Sequence, residues 1–502
     1  METGRGMGTG TGVEAARRHR SAIAALAWPV YVELLAGVIA GIIDVAWVAH
    51  LGPAATAAVA LATNLENLVL GLILVASAGT TVLIASRPTE AGRRAAIRGG
   101  AALATAITLA IVGVGLALRG PIVGAFFDAG EGEARHAALS FLAISVPGLA
   151  VSFAQLMVDS VFKGLGDTKT PMRLAIGTNA LILALDPTLI YGLGLGVRGA
   201  AIATVSSRVV VLAVAWALVR RRSLTSGDVA LATERTSELE LAGAAVRTHP
   251  GAGGSATPPQ ARQDPTPGQD PTPGQDPAPD AQPTHRSRAG AVLPQALDVA
   301  RAGTPLGADF ITRMAGATAV AAVVATFGVT AVAAYGIGTK AMYFASMAFY
   351  AVRQAATMHT ARSEPGQAAA IGRATVGVGV GIGAVSALGY AGAAPWIMAA
   401  FTGQPEVVAA GVGFLRWLAL YLVPISAVIS LSGVLAAGRG ARGGNRLLLV
   451  TVAGTAALVG LAHVLSGPFG LAGVWAAMVG GAALQCAALL VLLRRLSAGT
   501  RP

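Results

Sequence analysis

One cysteine in 502 residues, Cys486, excludes a disulfide framework and any Cys/His metal spacing. Charge is scarce as well: Asp, Glu, Lys and Arg make up 12% of the chain, against roughly 25% in an ordinary globular protein, which excludes a soluble monomer. No GxxxxGK[ST] sequence is present, and "GLGDTKTP" lacks both its spacing and its Lys-Ser/Thr ending, so an ATP-driven pump within this chain is excluded. The seven histidines are dispersed without HxxxH or HExxH spacing, and no serine sits in a nucleophile elbow, which disfavours a membrane enzyme. The net charge of +12 comes from basic residues in the gaps between apolar stretches rather than on one face or stripe, so it does not mark a nucleic-acid partner.

What the chain has instead is apolar residues, 54% of the total, in long blocks. A bilayer core about 30 Å thick needs about 20 apolar residues per helix. Twelve such blocks are legible, at 24–48, 56–85, 96–118, 137–162, 173–193, 197–219, 298–326, 331–358, 369–397, 407–436, 446–465 and 470–493. The expectation is an all-α polytopic membrane protein of twelve transmembrane helices. Alternate gaps carry the bases Arg93, Arg94, Arg98, Lys163, Lys169, Arg173, Arg220 to Arg222, Arg362, Arg373, Arg439, Arg442 and Arg446. The other gaps hold little beyond Arg119, Arg135 and Arg198, so the positive-inside rule places both termini in the cytoplasm. Residues 1–22 then form a cytoplasmic tail, 23–222 a first six-helix lobe, 297–495 a second, and 496–502 a short cytoplasmic tail. Between the lobes, 223–296 contains "DPTPGQDPTPGQDPAPD", too polar and Pro-rich to bury a core, and is read as a disordered cytoplasmic linker.

The halves are related in sequence. Pro29, Glu33 and Gly52 match Pro305, Asp309 and Gly328 at the same spacings, and "GVRGAAIATV" from Gly196 matches "GLAGVWAAMV" from Gly470. Each half begins on the cytoplasmic side, so the repeat is parallel, and repeats of this kind mark secondary transporters with a substrate path between the bundles. Ionisable residues within spans are costly, and each is a functional hypothesis. The first half has Glu33, Asp44, Glu66, Asp159 and Asp186. Glu33 and Asp44 share one face of helix 1, about 16 Å apart along its axis. Alternating helix directions put Asp44, Glu66, Asp186 and Thr204 in the outer half, where Pro187 also leaves the Leu183 carbonyl without its helical donor. Two acids, a hydroxyl and a freed carbonyl suit a proton or a small cation. The bland alternative pairs these acids with Arg208 or uses them only in helix packing. Asp159 and Glu66 are expected to be the more solvated, by snorkelling at helix ends. In the second half Val320 and about Gly460 match Asp44 and Asp186, Asp309 has Arg313 one turn later, and Lys340 and Arg416 add basic charge, so a coupling-ion site is expected in the first half alone. Pairing of acids in one half with bases in the other stays open.

The segments "WPVYVELLAGVIAGIIDVAWVAHLG", "KGLGDTKTPMRL", "LDPTLIYG" and "GAAIATV" together resemble the multidrug and toxic compound extrusion (MATE) family, most closely its DinF-like branch. The resemblance covers both halves. It implies two six-helix bundles around a V-shaped cavity and export of organic compounds in exchange for protons or sodium, with a first-lobe cation site on Asp44, Asp186 and Thr204. Glu33, Glu66, Asn179, Arg208 and Asp309 are accessory or cavity candidates. The family often has an Asn one turn before the helix 5 acid, where this chain has Ile182. Sodium needs several oxygen ligands and a proton needs one carboxylate, so proton coupling is expected, with no cofactor and no bound metal. The expected partners are a small organic, amphipathic and cationic substrate and the plasma-membrane bilayer, with no nucleic acid and a monomer as the working unit. The alternatives are a sodium-coupled antiporter, a lipid-linked precursor flippase of the same superfamily, and a non-transporting membrane scaffold or sensor.

Overall fold

The computed structural model describes residues 7–127, 132–219, 292–364, 366–437 and 441–498. Within hydrocarbon a chain must satisfy its backbone internally, and the apolar blocks do so as helices. They are α1 (Met7–Ala49), α2 (Pro53–Ser86), α3 (Glu90–Phe126), α4 (Gly132–Gly164), α5 (Lys169–Pro187), α6 (Gly196–Val219), α7 (Val292–Ala325), α8 (Val329–Arg362), α9 (Ala368–Phe401) and α10 (Pro405–Ala437). The last helical stretch, Ala441–Ala498, is broken at Gly470, whose backbone has φ 58° and ψ −142°, and is therefore two helices, α11 (441–469) and α12 (471–498). Among the described residues ten helices are long and apolar enough to cross a membrane, and one of them, Gly443–Arg495, holds both of the last two sequence blocks. The remaining block, 331–358, forms α8, which carries Lys340, Arg353, His359 and Arg362. The described residues are helical throughout, and the protein is a multi-pass membrane protein.

The tails and linker differ from expectation where they are described. Helix α1 begins at Met7, well inside the expected 1–22 tail, with Glu14 and Arg18 paired at 3.7 Å on its exposed side. Helix α7 begins at Val292, five residues inside the expected linker, with Pro294 in its first turn, where a missing N–H forfeits no helical bond. Most of the linker, 223–291, and the end of the C-terminal tail, 499–502, lie outside the described residues.

The repeat is visible in the turns. Gly52 (φ 106°) precedes Pro53 at the start of α2, and its sequence match Gly328 (φ 92°) precedes α8. Gly196 (φ 53°) and its match Gly470 (φ 58°) likewise open α6 and α12. A side chain is strained at such φ values, which accounts for glycine at the same place in both halves. Pro29 and Pro305 lie inside α1 and α7 at matching positions.

Contacts between the halves gather at one face, termed proximal, where α1 and α7 begin and α2, α4 and α8 end. Helices α2 and α7 approach so closely that a Cβ on Gly79 would run into the Val299 carbonyl oxygen, and one on Gly303 into that of Val75. Val82, Leu306, Ala361 and Ala437 form a small apolar core across the two halves, and Ile23, Ala27 and Val30 of α1 join the core of the second half. Toward the opposite, distal face the cores are separate. One, around Val48, Val59, Phe141 and Ile190, belongs to the first half, and another, around Val320, Tyr335, Phe414 and Trp475, belongs to the second. At the proximal face the two halves share a core; at the distal face each has its own.

Candidate functional site

The distal end of the first half is where α1 and α5 finish and α2, α4 and α6 start. Asp44 lies six residues before His50, where α1 gives way to a turn, and Asp186 immediately before Pro187 at the end of α5. Pro187 has no N–H to give the Leu183 carbonyl. The chain then widens into a π turn at Thr188–Gly192, whose geometry the periodicity of the sequence did not announce. Tyr191 in that turn donates to the Trp47 carbonyl at 2.6 Å, with the two rings 6.0 Å apart, and Asn179 donates to the Ala36 carbonyl at 2.5 Å. Asn179 thus clamps α5 to α1.

Within this frame the predicted residues come together in part. Asp44 lies within electrostatic reach of Glu66 and Arg208, and Asp186 within reach of Asp44. Asp186 is fully buried, and neither of its oxygens has a hydrogen-bond partner among the described residues; Oδ1 of Asp44 is likewise buried and without one. Arg208 hydrogen-bonds Ser152 on α4 rather than forming an ion pair with either Asp44 or Asp186. Thr204, partly buried, lies one turn before Arg208 and shares its helix face. Two carboxylates that repel one another in a buried site can hold a positive charge between them, or a proton on one of them.

The other acids belong to different assemblies. Glu33 accepts from Lys163 at 2.6 Å, and Lys163 also donates to Gln354 of α8 at 3.1 Å. Asp159, expected to be solvated near its helix end, is 8% exposed, because α1 and α8 cover this end of α4. In the second half Asp309 is fully buried and accepts from Arg313 at 2.9 Å, Arg353 at 3.0 Å and Thr451 at 2.8 Å. The Asp309–Arg313 pair was legible from spacing. Arg353 was not, although a base inside an apolar block was a signal that could have found it. Glu33 and Asp309 pair within their own halves, and an ion pair between halves, Arg87 to Asp298 at 3.3 Å, lies at the proximal surface. Val320, in the place of Asp44, is buried in the apolar distal core. Lys340 and Arg416 are exposed.

The motif segments have local roles too. In "GDTKTP" Asp167 accepts from the backbone N–H groups of Lys169 and Thr170 at 3.1 and 2.9 Å, capping α5. Gly166, at φ 90°, leaves room for the Arg362 guanidinium, which donates to the Gly164 carbonyl at 2.8 Å.

Residues 29–188, the stretch that holds Glu33, Asp44, Glu66, Asp159, Asn179 and Asp186, match the family model MatE. This stretch, about a third of the chain, is similar to the MATE family. It is 31% identical over 197 residues to the probable multidrug resistance protein NorM of Thermotoga maritima, a match covering 38% of this chain and 42% of that one. The chain spans about two fifths of the length of the curated relatives it matches. In three dimensions the chain is similar to a crystal structure of MATE in complex with MaL6, with TM-score 0.75, 20% identity, and 97% of this chain and 98% of that one covered. It is also similar to the outward-facing conformation of a multidrug resistance MATE family transporter of the MOP superfamily, with TM-score 0.73, 20% identity, and 99% of each chain covered. These likenesses extend the shared fold over both halves.

Proposed function

We propose that this MATE-family chain, of the DinF-like branch, is a secondary active efflux transporter that exports organic, amphipathic cationic compounds in exchange for protons by alternating access. Members of the family are transporters rather than enzymes. The observation that carries the reading is the distal cluster: Asp186 is fully buried with both oxygens unpartnered among the described residues and lies within electrostatic reach of Asp44. The divergence of the two cores toward the distal face supports a cavity open on that side, as in the outward-facing relative.

With Asp44 and Asp186 ionised, the acidic first half attracts a cationic substrate. Protonation of Asp44 and Asp186 from the distal side, one proton on each, removes that charge, weakens the hold on the substrate and lets α1 repack on α5 around the Asn179 and Tyr191 clamps. The protons then leave on the other side. A membrane potential supplies about 2.3 kcal/mol per charge per 100 mV to this cycle. Ile182, buried in α5 where an amide ligand would otherwise stand, favours a proton over sodium. The distribution of Arg and Lys supports a plasma-membrane protein with its proximal face, both termini and the linker on the cytoplasmic side. A single chain supplies all the residues of the distal cluster, which supports a working monomer.

The test is transport of a fluorescent cation into or out of liposomes under a pH gradient or a sodium gradient imposed separately, comparing wild type with Asp44→Asn and Asp186→Asn. Proton-driven transport lost in both variants is expected. Transport driven by sodium alone would overturn the proton assignment, and gradient-independent behaviour would turn attention to a lipid substrate or a scaffold.

A further inference from the structure

A second group of buried ionisable residues lies at the proximal end of the first half, about 16 Å along α1 from Asp44. Lys163 donates to Glu33 at 2.6 Å, with side chains only 8% and 11% exposed. Asp159, one turn before Lys163 on α4, is 8% exposed and lies within electrostatic reach of both. The second oxygen of Glu33 and Oδ1 of Asp159 are buried without a hydrogen-bond partner among the described residues. The cluster therefore holds two carboxyl groups against one ammonium. With all three ionised, one negative charge stays uncompensated at membrane depth, which is expensive. Uptake of one proton makes the group neutral. A metal ion does not suit this place, because the Lys163 ammonium already occupies Glu33 and would repel a cation beside it.

We infer that Asp159, with Glu33 and Lys163, is a second proton-binding site of this protein, distinct from the distal pair, and the station from which the proton leaves on the proximal side. The inference rests on the proton-coupled reading above. Asp159 becomes a carboxylic acid on receiving the proton and returns to carboxylate on passing it to proximal water.

Its surroundings link that exchange to the joining of the halves. From α8, Gln354 accepts from Lys163 at 3.1 Å, and Arg362 donates to the carbonyls of Lys163 and Gly164 at 3.3 and 2.8 Å. From α2, Thr81 donates to the Ser160 carbonyl at 3.1 Å. The charged groups facing Asp159 are thus Glu33 from α1 and Lys163 from α4, while Arg362 of α8 caps the end of α4 beyond them. Asp159 lies five residues from the end of α4, about 8 Å along the axis. While α8 sits over that end the proton is retained; separation of α8 from α4 at the proximal face uncovers it.

The test reads the carboxylic-acid carbonyl stretch of the detergent-solubilised full chain by infrared difference spectroscopy during a pH titration, so it needs no transport. A protonated-acid band is expected in wild type. It persists in the Asp44→Asn/Asp186→Asn double variant and is lost when Asp159→Asn is added. Lys163→Met, which removes the counter-charge, strengthens the band and guards against misfolding of the Asp159 variant. In liposomes Asp159→Asn lowers proton-driven transport on the order of a hundredfold, as expected for loss of a positioned proton carrier, with substrate binding retained. A band unaffected by both Asp159→Asn and Lys163→Met would overturn the inference. A band that behaves as expected in a protein driven by sodium alone would instead overturn the proton-coupled reading.

Discussion

Arg353 donates to Asp309 at 3.0 Å in the interior of the second half, where Arg313 reaches the same carboxylate at 2.9 Å. Thr451 and the Leu306 carbonyl complete the network, so the one acid and two bases have their hydrogen bonds satisfied. This is the opposite arrangement to the distal end of the first half, where buried acid oxygens stand unpartnered among the described residues.

The contrast predicts different failures. Asp309→Asn strands two buried guanidinium groups, and removing one partner of such a network costs about 3–5 kcal/mol. The thermal unfolding temperature of the purified chain should fall, and transport should fall in proportion to the folded fraction.

Asp44→Asn and Asp186→Asn should behave otherwise. Each removes a charge that lacks a salt-bridge partner, so stability is unchanged within about 0.5 kcal/mol or rises. Transport is lost all the same. The measurement is unfolding temperature alongside gradient-driven transport, and a large loss of stability in either variant would assign these acids to packing.

Closure at the proximal face depends on the bare backbones of α2 and α7. Gly303→Leu places a side chain against the Val75 carbonyl and should force the helices apart, at a cost of about 1–3 kcal/mol. Spin labels at positions 87 and 298, which carry the Arg87–Asp298 pair at 3.3 Å, should show a longer distance in the variant. Gly389→Leu on α9, where nothing lies within reach of an added Cβ, is the control and should leave that distance alone.

The proximal face also carries a pH-dependent contact. Nδ1 of His19 lies 2.9 Å from Nε2 of His359, ahead of the apolar block of α1 and beyond that of α8. Burial chiefly, then His19 and Arg362, hold His359 below the ordinary histidine value. A depressed value means the contact favours neutral imidazole: it is present in full above the ordinary histidine value and weakens as pH falls below it. Labels flanking the two residues should move apart on acidification in wild type, and His359→Gln should flatten that response.

Lys163 illustrates what sequence reading reaches and where it stops. As a charge in a gap it counted toward topology, and that use needs only its position along the chain. Its pairing with Glu33, 130 residues away, could not be read, because it depends on how α1 and α4 rotate about their axes and which faces meet. The same applies to Asp159, whose place near a helix end suggested solvation until α1 and α8 covered it.

By itself the sequence determined that the chain is helical and crosses a membrane many times, because a bilayer demands apolar runs of set length and internally satisfied backbone. It also determined the repeat, through glycines at Gly52 and Gly328 that a turn of positive φ requires, and the Asp309–Arg313 pair, which neighbours at i and i+4 on a helix form locally. Tertiary structure alone decided which buried acids are neutralised. Asp309 gained Arg353, Glu33 gained Lys163, and Asp186 gained neither, because ion pairs between helices follow from packing orientation, and no periodicity along a single helix encodes it.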